Sequence, residues 1–328
     1  MPTPRRPQEL LDLWVGRVRQ HGSILRAAKA YNTPATTVNG IIEDARARNI
    51  FCLPDAYTRN GWAMDARWAT PDIITLPVAG KVFLVCGDAH CWDPDPTLAW
   101  SAFVSVAHEI KPDGIILNGD MLDGARASRH PRPVGKTPAI VDEINALQAW
   151  LGMLPKAEIQ CWVLGNHDDR LNKTLVNLAP EYLDYAGRLE DRFPDWPMAW
   201  AFGLGDDCEI RHNFRSGVHS RYANVMNAGI SMVTNHTHQL GVTPVDNRRG
   251  RLYGVETGAL GSPRSPSQEY GMGSPNRHSP GFAVLTFDED ERLLPPELCE
   301  HSQGRMYFRG KIVAGEKPRY RIKAGRAA

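Results

Sequence analysis

KVFLVCGDAH, residues 81–90, is the stretch on which the reading of the fold turns. The apolar run from Val82 to Cys86 is too short for a helix and matches a strand buried on both faces. Gly87 then turns the chain, and Asp88 and His90 follow just beyond the strand end. The pattern recurs downstream in GIILNGDMLD at 114–123 and IQCWVLGNHDDR at 159–170, with helical stretches Leu98–Ile110 and Ala139–Leu154 between the apolar runs. Strands alternating with helices predict an α/β domain whose sheet is covered on both sides. Further strands are expected at the end of CEIRH, in ISMVTN, and around LYGVET and FAVLTF.

Each of these strands delivers polar side chains at its end, where open α/β sheets collect ligands. Asp88, His90, Asp120, Asn166, His212, His236 and His238 together offer oxygen and imidazole donors suited to divalent cations. Any one fragment is a common turn, but their order, each after an expected strand, points to a shared centre. At the fourth strand two histidines compete, His212 and His219, and His212 is preferred because it ends the strand.

The ordered set D-x-H, GDxxD, GNHD, His and HxH resembles the calcineurin-like metallophosphoesterase superfamily over residues 80 to 290. The resemblance implies a four-layer αββα sandwich and a two-metal centre. One ion is expected on Asp88, His90, Asp120 and His238, the other on Asp120, Asn166, His212 and His236, with Asp120 shared. Manganese is the expected metal, with Fe, Zn, Ni or Mg as alternatives. His167 matches the family's non-ligand histidine at the leaving group, so His167 and Asp120 are the expected catalytic residues. Asp123 and Asp168 are expected to orient ligand histidines. A bridging hydroxide attacking phosphorus in line, with His167 protonating the departing oxygen, is the implied reaction. Two departures stand out: Asn235 replaces the Gly of GHxH, and Asn213 follows His212 where Gly is frequent.

The serine/threonine phosphatases of that superfamily carry GDxxDRG, whereas this chain has GDMLDGA. The missing Arg lowers the protein-phosphatase reading. GNHDDRL, with Arg170 after the motif, looks more like phage and bacterial members, and Arg126, Arg129 and Arg132 add positive charge near the expected cleft.

The first fifty residues read as three helices, Glu9–Gln20, then ILRAAKAY behind Ser23, then ATTVNGIIEDARAR launched by Thr33 and Pro34. HGSILRAAKAYNTPATTVNGII resembles the helix-turn-helix of phage and mobile-element regulators. On that geometry Thr36, Thr37 and Asn39 would face bases, and Arg26, Lys29, Arg46 and Arg48 phosphates. The resulting organisation is a helix-turn-helix domain (1–50), a linker packing on the main domain (51–79), a metallophosphoesterase domain (80–290) and a basic C-terminal tail (291–328). Residues 1–50 carry eight Lys/Arg against four acids, and 305–328 eight against one, so both ends suit a polyanion although the whole chain is only +1. The Gly/Ser/Pro-rich stretch 261–281 reads as a mobile lid or as plain surface.

Six scattered cysteines without a CxxC pair exclude a disulfide scaffold or zinc knuckle. No apolar run is long enough for a membrane span and the N-terminus has no apolar signal, so a cytoplasmic location is expected. The leading expectation is a phosphodiesterase or nuclease acting on DNA. The alternatives are a phosphomonoesterase on nucleotides or small molecules, and a DNA-binding regulator with a non-catalytic metal site.

Overall fold

The computed structural model describes residues 6–21, 24–47, 72–128, 137–178, 188–248, 250–263 and 278–315. The chain divides into two compact units, Met1–Asp72 and Ile73–Ala328. In the first, α1 (Gln8–His21), α2 (Ile24–Ala30) and α3 (Ala35–Ala47) are formed. Leu11, Trp14, Val15 and Val18 of α1 meet Ala27 and Ala28 of α2 and Val38, Ile41 and Ile42 of α3 in a core of their own. That spacing is the 3.6-residue stripe of an amphipathic helix.

The second unit holds two sheets. With β1 at Ile74–Leu76, β5 at Met198–Ala199, β6 at Ala201–Leu204 and the other strands as given below, the larger runs β14-β13-β12-β11-β2-β3-β4-β5 and the smaller β1-β6-β7-β8-β10-β9. In the larger sheet β2 (Val82–Cys86), β3 (Gly114–Asn118) and β4 (Ile159–Val163) are parallel, crossing over through α4 (Leu98–Ile110) and α5 (Ile140–Leu151). The period of two in side-chain direction explains why their sequences are apolar throughout. Phe83, Val85, Ile116, Cys161 and Val163 face the smaller sheet, meeting Phe202, Ile210, Val233 and Val255. Leu84, Cys86, Ile115, Leu117 and Trp162 face the other way, into a core shared with Trp100, Phe103 and Val106 of α4 and Leu147 and Trp150 of α5. On the smaller sheet, β7 (Cys208–Arg211), β8 (Ser231–Thr234), β9 (Leu240–Asn247) and β10 (Gly250–Thr257) carry α7 (Ser220–Ala228), whose Val225 packs on Met232, Val245 and Leu252. The order is helices, sheet, sheet, helix.

One expectation is corrected. The segment read as a basic tail from residue 291 folds as β12 (Glu297–Ser302), β13 (Arg305–Phe308) and β14 (Lys311–Ala314), which extend the larger sheet past β11 (Gly281–Thr286). Met306 and Phe308 alternate inward and complete the core beneath α4. Charge dominated the reading of this stretch, while the alternating apolar positions determine its structure. Most of the expected linker, most of the 261–281 loop, and residues 316–328 lie outside the described residues. Cys86, Cys91, Cys161, Cys208 and Cys299 are free and buried, with burial pushing the thiols up, so they are packing residues. Among the described residues no helix is long and apolar enough to cross a membrane.

Candidate metal centre

Six of the seven expected ligands converge from four strand ends. Asp88, His90 and His238 lie together, as do Asp120, His212 and His236, each set with its donor atoms within 4.8 Å of one another. Asp88 Oδ1 links the sets, 3.5 Å from His238 Nε2 and 3.9 Å from His212 Nε2. Asn166, in the turn after β4, is exposed and no hydrogen bond ties its side chain to the cluster. His212 is buried at the end of β7, whereas His219 is exposed and sits at the N-terminus of α7. The geometry thus separates the two competing histidines in favour of His212.

The backbone is bent to present these groups. Asp88, His90, Asp120, His236 and His238 all have φ between 43° and 71°, the left-handed region that L side chains rarely adopt. Such conformations cost on the order of 1–3 kcal/mol each and persist where surrounding bonds over-determine them. Several bonds do so here. Asp88 Oδ2 accepts the His236 N–H at 3.0 Å and Asp120 Oδ1 accepts the His167 N–H at 2.8 Å. Gly165 is required beside Asp120, since a Cβ there would lie 2.1 Å from Asp120 Oδ1, and Gly119 leaves room for the His212 ring.

The buried cluster contains polar atoms that protein partners do not satisfy. Asp88 Oδ1 and His212 Nε2 have no hydrogen-bond partner, although His212 Nε2 stands 3.1 Å from Asp120 Oδ2. His90 and His238 face each other Nε2 to Nε2 at 3.2 Å. Unsatisfied buried carboxylate and imidazole atoms aimed at one another are costly unless a cation lies among them. The donor set therefore fits divalent metal, and the clusters are able to hold it. Two of the rings are also oriented from behind. His212 Nδ1 donates to the Asn118 carbonyl at 2.8 Å, and His238 is joined through Nδ1 to His278 Nε2 at 2.6 Å.

The electrostatics of the metal-free protein follow. Burial raises Asp88 and Asp120, but the histidine charges outweigh it, His238 most for Asp88 and His212 most for Asp120, and both carboxyls end below their ordinary value. Burial lowers His212, yet the Asp120 and Asp88 carboxylates outweigh that and push it up to about 10. His278 is lowered to about 4 by burial and by the His238 charge.

Asp123 Oδ1 accepts from His167 Nδ1 at 2.8 Å and lies 3.5 Å from His90 Nδ1, so it is placed between the two rings. Asp168 touches no histidine, and instead accepts the N–H groups of Asp120, Leu122 and Gly165 at 2.8, 3.1 and 2.9 Å and the Trp162 indole at 3.1 Å. Its task is to tie the loops after β3 and β4 together. Two acids were missed. Glu143 on α5 accepts the N–H groups of Asp123, Gly124 and Ala125 at 3.0, 2.7 and 3.2 Å. Glu256 on β10 accepts from Ser220 at 2.8 Å, from Thr237 at 2.5 Å and from Arg221 at 2.7 Å, fixing the turn between His236 and His238. A glutamate beside the apolar stripe of a helix, or inside an apolar strand, was the available signal for both. Of the expected basic loop, Arg126 is bound to the Thr137 carbonyl at 3.1 and 2.8 Å, and Arg129 and Arg132 lie outside the described residues.

Residues 81–242 match the family model of the calcineurin-like phosphoesterases. The chain carries a calcineurin-like phosphoesterase domain and is a hydrolase acting on phosphate esters. That excludes the non-catalytic regulator among the alternatives. No curated protein matches. Among solved structures, the chain is similar to Yfce, a phosphoesterase from E. coli, at 14% identity and a TM-score of 0.31, over 66% of this chain and 97% of that one. It is also similar to the nuclease MPE of Pseudomonas putida, at 15% identity and 0.30, over 66% and 92%. A dimetal phosphatase from Danio rerio aligns at 10% identity and 0.34, over 73% and 100%. None is close enough to inform the substrate.

Proposed function

We propose that the protein is a dinuclear phosphodiesterase acting on DNA. The observation that carries the reading is the cluster of Asp and His side chains, five of them on left-handed backbone, in which the buried Asp88 Oδ1 and His212 Nε2 have no hydrogen-bond partner. Asp88, His90, Asp120 and His238 would hold one cation, and Asp120, Asn166, His212 and His236 the other, Asn166 from the solvent side. Two divalent ions there would supply Lewis acidity to the phosphate oxygens and an activated water as nucleophile. Asp120 would be shared by both ions, and its Oδ1 also fixes the His167 backbone. His167, with Nδ1 held by Asp123, directs Nε2 toward the centre, 3.8 Å from Asp120 Oδ2, where a departing ester oxygen takes a proton.

The N-terminal unit supports the nucleic-acid part of the reading. On α3 Thr36, Thr37 and Asn39 are exposed while Val38 between them is buried, so the helix presents a polar edge; the side chain of Arg46 lies outside the described residues. A helix-turn-helix use of α2 and α3 would bring the phosphoesterase to DNA.

The test is hydrolysis by manganese-loaded protein. Bis-p-nitrophenyl phosphate should be cleaved faster than the monoester, Asp120→Ala and His167→Ala should both abolish turnover, and DNA affinity should fall steeply with salt. A preference for the monoester, with no salt-dependent DNA binding, would instead identify a phosphomonoesterase.

A further inference from the structure

Arg170 opens α6 (Arg170–Leu178), and its guanidinium reaches back over the centre. Nη1 donates to the Asp123 carbonyl at 2.7 Å and lies 3.4 Å from Asp123 Oδ1, while Nη2 stands 2.9 Å from His167 Nε2. A guanidinium has no acceptor, so His167 Nε2 must accept. The imidazole proton is therefore on Nδ1, donated to Asp123 Oδ1 at 2.8 Å. In this state His167 has no proton to give at Nε2, the nitrogen that faces Asp120.

The arginine is held loosely where it matters. Its side chain is 20% exposed, on the open side of a buried cluster. Its second amino group is spent on an imidazole nitrogen, a weak partner beside an anionic oxygen. Gly124 makes room for it, since a Cβ there would come within 3.2 Å of Arg170 Cβ and 3.3 Å of its Cδ. Arg126, by contrast, is committed through Nε and Nη2 to one backbone carbonyl.

We propose that Arg170 is a substrate-binding residue that grips a non-bridging phosphate oxygen, and that its contact with His167 Nε2, which masks that nitrogen, is given up for the phosphate. This rests on the phosphoesterase reading above. When phosphate binds, one N–H···N bond is exchanged for a charge-assisted N–H···O bond, with Nη1 still anchored on Asp123. Nε2 is then released from Arg170 and faces the ester oxygen.

The test uses zinc-loaded full-length protein, titrated calorimetrically with inorganic phosphate, together with nitrogen NMR of the His167 ring and steady-state kinetics. Arg170→Met should weaken phosphate binding and raise KM for bis-p-nitrophenyl phosphate by about tenfold or more, with Arg170→Lys in between. The Nε2 resonance of wild type should move when phosphate is added. Unchanged phosphate affinity and KM with only kcat lowered would reduce Arg170 to a positioning residue, and an Nε2 resonance indifferent to phosphate would overturn the masking. If Arg170→Met does not fold, Arg170→Lys carries the same comparison. If wild type cleaves no ester, the phosphodiesterase reading fails, and the phosphate titration still decides the role of Arg170.

Discussion

Asp120 and His212 show how much of the centre is set by single side chains. In the metal-free protein they form a charged pair, with His212 raised to about 10 mainly by Asp120 against the opposing effect of burial. A group whose folded value is raised stabilises the fold at acid pH. That contribution is complete below the ordinary histidine value and is lost as pH climbs through about 10. Metal must displace this proton, so cation uptake should release protons near neutral pH and tighten with rising pH. Calorimetric titration with manganese in buffers of different ionisation enthalpy measures the release, and a heat independent of buffer would contradict it. His212→Ala should remove most of the released proton.

Strands and the turns after them carry the rest. The parallel core was legible because β2, β3 and β4 are bounded apolar runs, and the site because each run ends in a ligand-type residue beside a glycine. Spacing and residue type identified Asp88, His90, Asp120, His212, His236 and His238 as neighbours. The partners behind them were not legible, because Glu143, Glu256 and His278 act through backbone amides and rings brought close only by folding. Asp168 was misassigned for the same reason, since nothing in GNHDD tells which acid faces a ring and which faces three amides. The end of the sheet was obscured by charge. Phe308, 3% exposed, packs in the α4 core, so Phe308→Ala should cost about 3–5 kcal/mol of stability. Chemical denaturation reads this, and a loss below about 1 kcal/mol would mean that β13 is peripheral after all.

At the scale of the molecule, one unit has a small helical core and a basic composition, and the other a two-sheet sandwich with a strained, polar centre between strand ends. The central claim is that the second unit holds two cations with Asp120 between them. Anomalous diffraction from crystals grown with manganese tests it most directly. Two peaks about 3.5–4 Å apart are predicted, one beside Asp88, His90 and His238, the other beside His212 and His236, both within reach of Asp120. A single peak, or none among these residues at saturating manganese, would contradict the account.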